Sequence, residues 1–483
     1  MAVGATLSLQ ACVSAPKMAA AAEQAKIAQQ ASPAGDATVQ ALAGQLTVIG
    51  SGGKVSSPAE RERLIRQIGS EGSAASLRRH LAAMVSTDGV ELYAGNQAQV
   101  LVDGPATFDA MFKAIAAARR SVLVESYIVE DAEIALRLAD ALIAKRRQGL
   151  QVALLYDGLG SIGTDDKYFD RLRAAGVGVC AFNPIKPGDR ATGQAPTHRD
   201  HRKIVTVDRR IGFTGGINIS AVYSSGSFGS GGRKAPPPKP KDGKDGKDDA
   251  GWRDTHVQLR GPVAATLDDL VRQTWRDQRC DEGTALAALE PSTDATPAAV
   301  GNDVVRIVSS SPNDETSRIY ALLLSTISAA QRQVHLTMAY FAPGDEMVDA
   351  LCAAARRGVD VQLVLPSRSD FAPVLHAGRS YYSRMLEAGI RVHELQGSVL
   401  HAKTGVIDGV LSTIGSSNLD FRSFEGNNEV NAVVLGEDFG DAMERLFRED
   451  LKASREITRD AWSNRTVMQR VKEAAAALLE RWW

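Results

Sequence analysis

The chain has 483 residues, 44% of them hydrophobic and 23% charged, with a formal net charge of −1. That is an ordinary globular composition, long enough for roughly two to four domains. The near-zero charge excludes a global basic field for nucleic acid, and 5% aromatic residues argues against a stacking platform for single strands.

Residues 1–57 are rich in Ala, Gly and Ser and read as a poorly ordered tether. Within them "ATLSLQAC" ends at Cys12 and a polar stretch follows, an order that resembles a bacterial lipoprotein signal. Only eleven residues precede Cys12 and none is basic, which falls short of a signal peptide. A start codon assigned too late would account for this; a cytoplasmic leader without meaning is the alternative. No apolar run reaches the ~18 residues of a membrane span. The four cysteines, Cys12, Cys180, Cys280 and Cys352, are far apart, which excludes a CxxC zinc or redox site. Cys180 and Cys352 fall in apolar patterns and are expected to be buried thiols.

A first lobe is expected over residues 58–285, opening with the helical piece "PAERERLIRQI". From about Val90 the pattern becomes α/β. "SVLVESYIV" reads as a buried strand and "DAEIALRLADALIAKRRQG" as a helix with Ile134, Leu138 and Leu142 on one face and Gly149 past its end. "LQVALLYD" is the next strand. The Gly-, Pro-, Lys- and Asp-rich segment 224–251 reads as a disordered insertion. The same strand–helix–strand order returns about 200 to 213 residues later in "QVHLTMAYFAP", "DEMVDALCAAARRG" and "VDVQLVLP", so a second lobe is expected over 286–465. Each half predicts a parallel or mixed sheet with helices on both faces. Residues 466–483 close the chain as an amphipathic helix with two terminal tryptophans, suited either to a membrane interface or to capping the second lobe.

Each half carries His-x-Lys with an Asp five residues after the Lys: His201, Lys203 and Asp208, then His401, Lys403 and Asp408. Alternation along a strand puts each His and Lys on one face, while each Asp falls at a strand end and reads as a turn or supporting group. Both motifs lead to a small-residue turn with an Asn, "GGIN" with Gly216 and Asn218, and "GSSN" with Ser416 and Asn418. Small residues let backbone approach a ligand, and the amides are donors. Asp254 and Glu429 supply a carboxylate to each half, as needed to orient an imidazole. Two His, two Lys and two Asn suit attack on a phosphodiester: one His as nucleophile, the other as acid and base, with Lys and Asn on the phosphoryl oxygens. No cluster has metal-ligand spacing, and no metal or other cofactor is expected. His201 is expected to be the nucleophile, kept neutral by Arg199 and Arg202, and His401 the proton donor beside Glu429. His198 lies outside the register and is expected to be a rim or structural residue.

The duplicated His-x-Lys-x4-Asp resembles the signature of the phospholipase D superfamily. "ESYIVED", "RDHRKIVTVD", "FTGGINIS", "WRDTHVQLRGPVA", "LHAKTGVIDG" and "TIGSSNLDFRS" resemble stretches of bacterial cardiolipin synthases, over about residues 90–455. The resemblance implies an α/β fold of two phospholipase D-like lobes related by internal duplication, with one site at the seam and a covalent phosphohistidine. It implies His201, Lys203, Asp208, His401, Lys403 and Asp408 as catalytic, Asn218, Asn418, Gly216 and Ser416 as phosphate-binding, and Asp254 and Glu429 as histidine-orienting. The expected activity is phosphatidyl transfer from phosphatidylglycerol to a second phospholipid. A phospholipase D or other phosphodiesterase, including a nuclease, and an inert membrane-associated scaffold are the alternatives. Phospholipids and a membrane surface are the expected partners, without nucleic acid. The expected location is the bacterial cell envelope, anchored at Cys12 or peripheral on the inner membrane.

Overall fold

The computed structural model describes residues 16–30, 37–69, 72–86, 89–185, 194–227, 251–280 and 296–482. Both halves repeat one seven-strand order. In the first, Val90–Val102, Thr255–Arg260, Ile211–Gly215, Lys203–Val207, Ser121–Ser126, Gln151–Asp157 and Gly178–Phe182 lie side by side. In the second, the order is Asp303–Ser310, Asn427–Leu435, Leu411–Gly415, Lys403–Ile407, Gln333–Met338, Asp360–Pro366 and Arg391–Leu395. Ser454–Ile457 adds an antiparallel edge to the second half. Antiparallel pairing of Val90–Val102 with Asp303–Ser310 joins the halves into one 17-stranded sheet.

Strand pairs are parallel where a helix connects them. The crossover helix Glu133–Arg147 buries Ile134, Leu138 and Leu142, one helical face, as their spacing predicts. Glu133 begins it and Lys145, Arg146 and Arg147 end it, matching the helix dipole, and Gly149 leaves it at φ 87°. Burying each such leucine contributes about 1.5–3 kcal/mol, so Leu138→Ala would cost about 2–5 kcal/mol. A core of Leu155, Ile204 and Val257 from the first half with Val406, Val430 and Phe439 from the second fills the seam. That shared core holds the halves in one relation.

Three sequence expectations are corrected. Residues 16–30 and 37–49 are not a loose tether. They form the helices Pro16–Gln30 and Ala37–Gln45 and the strand Leu46–Ile49, which pairs parallel with Val90–Tyr93. Met18, Ala21, Ala22 and Ala25 recur at helical spacing and are buried in the core that also holds Ile319 and Leu322. Alanines that read as low complexity are good helix formers whose small side chains permit close packing. The helices Pro58–Ile68 and Ala74–Val85 also join that second-half core through Ile65, Leu77 and Leu81, so the first lobe does not begin at residue 58. Cys180 is not a free thiol: it forms a disulfide with Cys280, Cα atoms 5.6 Å apart. A separation of 100 residues hides such a pair from spacing rules. Cys352 is a buried free thiol, as expected. Most of the expected insertion, residues 228–250, lies outside the described residues, as do Cys12 and Trp483. Its flanks meet: a Cβ on Gly251 would fall 1.6 Å from the Ser225 carbonyl oxygen.

The closing helix Val467–Leu478 divides its faces. Ala476 packs with Val374 and Ala377 of the helix Ala372–Ser380, whereas Val467, Met468, Val471 and Leu478 are exposed. Among the described residues no helix is long and apolar enough to cross a membrane.

Candidate active site

The two motifs meet at the seam, each tied to the opposite half. Arg199–Asp200 pairs in parallel with Asn427–Asn428, and the His201 N–H donates to the Asn428 carbonyl at 3.0 Å. In mirror fashion Arg253 bridges Leu400, and the His401 N–H donates to the Arg253 carbonyl at 2.8 Å. The carboxylates cross likewise. His201 Nδ1–H donates to Glu429 at 2.9 and 3.1 Å, and His401 Nδ1–H donates to Asp254 Oδ2 at 2.7 Å. A carboxylate on Nδ1 fixes the tautomer and leaves Nε2 for chemistry. The expected pairing of His401 with Glu429 is therefore corrected, since each carboxylate serves the histidine of the other half.

Both imidazoles line one cavity of about 410 Å³, together with Asn218, Asn418, Tyr127, Tyr223, Trp252, Tyr340, Asp370, Asp420 and Arg422. A larger cavity of about 870 Å³ lies beside the Cys180–Cys280 disulfide and holds no residue of either motif. Burial and the ammonium of Lys203, against the pull of Glu429, hold His201 down at about 4. Burial and Lys403 lower His401 in the same direction, opposed by Asp254. Burial also lowers Lys203 to about 7 and Lys403 to about 8. Burial would raise Glu429, but His201, Lys203 and the Ser416 hydroxyl together hold it at about 2. At neutral pH His201 is therefore neutral against an ionised Glu429.

Arg199 and Arg202 are not what keeps His201 neutral. Arg199 is buried on Asp157 and the Asn183 carbonyl, and Arg202 bonds Thr274 and pairs with Glu125. Each lysine folds its ammonium onto the carbonyl of its own histidine, and Lys403 Nζ also lies 3.0 Å from His401 Nδ1. The lysines stand behind the cavity wall and act on it as buried positive charge.

Asp208 and Asp408 do not face the cavity, which corrects their place among the catalytic residues. Each tips a hairpin in the left-handed region, φ 54° and 52°. An Asp tolerates that region because its side chain bonds nearby backbone. Asp208 accepts from the N–H groups of Arg119, Arg120 and Ser121 at 2.7–3.2 Å, and Asp408 from Gln331, Arg332 and Gln333. Asp408 also meets the buried His80 at 3.0 Å. These aspartates anchor each histidine-bearing hairpin to the strand beside it. Gly216 and Ser416 likewise support carboxylates instead of facing a ligand. A Cβ on Gly216 would come within 2.1 Å of Asp254 Oδ1, and the Ser416 hydroxyl donates to Glu429. His198 is buried with Nε2 2.9 Å from Asn428 Oδ1 and does not line the cavity.

Sequence reasoning missed the aromatic frame of His401: Tyr223, whose hydroxyl lies 3.1 Å from Nδ1, Trp252 at 5.3 Å and Tyr340 at 6.4 Å between ring centroids. It missed Asp370, Asp420 and Arg422 as well. Only proximity to "GSSN" could have flagged the last two.

The family profile described as "Cardiolipin synthase, PLD-like domain" matches residues 111–225 and 323–451. The chain is 32% identical over 386 residues to the cardiolipin synthase of Alkalihalophilus pseudofirmus, covering 80% of this chain and 72% of that protein. It is 34% identical over 384 residues to cardiolipin synthase A of Pseudomonas aeruginosa, covering 78% and 71%. The phosphatidylserine synthase structure from Haemophilus influenzae superposes with a TM-score of 0.55 at 11% identity, covering 80% of this chain and 95% of that one, and shares the fold.

Proposed function

The chain belongs to the cardiolipin synthase family of the phospholipase D superfamily, and from that membership we propose how its site transfers a phosphatidyl group from phosphatidylglycerol to a second phospholipid. The observation that carries the reading is the crossed pairing, which puts two oriented imidazoles in one cavity. His201 Nε2 attacks phosphorus. The P–O bond to the headgroup glycerol breaks, and the leaving oxygen takes a proton from His401. The phosphorylated ring is cationic beside the Glu429 carboxylate. In the second step His401 accepts the proton of the incoming hydroxyl, a new P–O bond forms and the P–N bond to His201 breaks. His401 must carry a proton for the first step, and the negative charge of a bound phosphodiester favours it. Asn218 and Asn418 donate to the phosphoryl oxygens, while Lys203 and Lys403 supply the positive field.

Lipid substrates bring the protein to a membrane surface, and the exposed Val467, Met468, Val471 and Leu478 support contact through the closing helix. A lipid on Cys12 would add a second anchor. The Cys180–Cys280 disulfide supports an oxidising envelope compartment.

The test is incubation of the purified protein with vesicles of labelled phosphatidylglycerol. Cardiolipin and free glycerol are expected. Phosphatidic acid without cardiolipin would make the protein a hydrolase, and no product at all would leave the inert scaffold.

A further inference from the structure

The two halves present matching groups to phosphorus but differ along one wall. Asn218 and Asn418 precede Ser220 and Asp420 by two residues each. The Ser220 hydroxyl donates to Glu130, whereas Asp420 lines the cavity. A second carboxylate, Asp370, stands at the mouth of the same cavity and accepts from the Tyr340 hydroxyl at 2.7 Å. Among the described residues neither carboxylate is in an ion pair with Lys or Arg, although Arg422 attracts Asp420 through space and the Ser423 N–H donates to Asp420 Oδ1 at 2.7 Å. Beside them, Asn418 Oδ1 and Asn427 Oδ1 are buried, line the cavity, and have no hydrogen-bond partner among the described residues. Their residues are only 4% and 5% exposed. An orphaned buried acceptor is costly unless a ligand supplies its donor.

The wall thus offers four acceptor groups, all from the second half. Carboxylates repel a phosphodiester, so Asp370 and Asp420 are not placed to hold phosphate; Asn418 can serve both sides, its Nδ2 donating to a phosphoryl oxygen and its unpartnered Oδ1 accepting from another group. An ammonium ligand would face Arg422 in the same cavity and the buried Lys203 and Lys403 behind it. Neutral hydroxyls remain, and several close acceptors suit adjacent hydroxyls on one molecule.

We infer that Asp370, Asp420, Asn418 and Asn427 form a polyol subsite that selects a vicinal diol, the glycerol headgroup, as the alcohol partner of the reaction. The inference rests on the transferase reading and adds what chooses the alcohol. One hydroxyl of the diol is held by the acceptor wall so that its neighbour reaches the phosphohistidine. There its oxygen forms the P–O bond, its proton passes to His401, and the P–N bond to His201 breaks. A lone hydroxyl, or water, is held less well and competes poorly.

The experiment uses the full chain with phosphatidyl-p-nitrophenol as donor, since that leaving group has no hydroxyl to hold. Glycerol, ethanol and ethanolamine compete as acceptors in one reaction, and the ratio of phosphatidylglycerol to phosphatidylethanol is read. Being read within one tube, the ratio does not depend on how much of a variant is folded. The wild type is expected to favour glycerol, and Asp420→Asn and Asp370→Asn each to lower the ratio about tenfold, as for loss of one charge-assisted hydrogen bond. Asp370 is exposed, so its variant keeps the test readable if the buried Asp420 variant unfolds. An active wild type without preference, an unchanged ratio in both variants, or preferred use of ethanolamine would overturn the subsite alone. Loss of nitrophenolate release in both variants would assign the wall to the phosphoryl step and also overturn it. No release from the wild type would sink the transferase reading and the subsite with it.

Discussion

Replacing Glu429 with Gln in the second half should disable His201 of the first. The carboxylate lies 2.9 and 3.1 Å from Nδ1, and the ring becomes cationic once Nε2 is phosphorylated. Unit charges about 4 Å apart in an effective dielectric near 20 attract by about 4 kcal/mol. The amide oxygen of Gln can still accept the Nδ1–H bond, worth about 1 kcal/mol. The net loss is then about 3 kcal/mol, which slows phosphorylation by roughly 150-fold. Ser416 and Asn427 both donate to Glu429, so the Gln amide also leaves a donor facing a donor, and the melting temperature should fall by a few degrees. The assay is single-turnover glycerol release from phosphatidylglycerol by rapid quench, with thermal unfolding followed in parallel. The reduction should fall on kcat with the donor KM little changed, because the charge interaction develops only as the ring is phosphorylated. A folded Glu429→Gln protein within threefold of the wild-type rate would refute the crossed pairing as the source of catalysis.

His401→Ala should lose phosphatidylglycerol turnover by several orders of magnitude, because acid and nucleophile act as a unit, while His198→Ala, which loses the bond to Asn428 and the edge contact with Phe182 but no group in the cavity, should cost less than about tenfold; steady-state rates for both variants check this. The pH profile of kcat/KM should be bell-shaped. His201, held at about 4, takes a proton and stops being a nucleophile as pH falls through that value, and the field of Lys203 and Lys403 fades as pH rises through about 7 and 8. An acid limb near the ordinary histidine value with no alkaline loss would contradict this. Deleting residues 228–250 and joining the ends through a short Gly-Ser link should leave the melting temperature within about 2 °C, since the flanks already meet at Ser225 and Gly251; a larger fall measured by thermal unfolding would show that the segment packs. Transfer should survive a strong chelator because the lysines supply the charge, and complete loss restored by a divalent ion would contradict that.

Much of this protein follows from local pattern. The His-x-Lys spacing was legible, but the strands begin at Lys203 and Lys403, and only the histidines line the cavity while the lysines fold behind its wall. The duplicated order of strands and helices is legible because each half repeats its own hydrophobic periodicity. The small residues after each motif were legible as a place of close approach, but not what approaches: the carboxylates of Asp254 and Glu429. The histidine each carboxylate serves was decided by the joining of the halves through Val90–Val102 and Asp303–Ser310 and the filling of the seam from both sides, which makes the supporting groups cross over. Burial decided the rest. It turned an alanine-rich leader into packed helices, brought Cys180 to Cys280 across the fold, and set Asp370 and Asp420 in the wall of one cavity, because Met18 and Ile319, Cys180 and Cys280, and Asp370 and Asp420 are far apart in sequence.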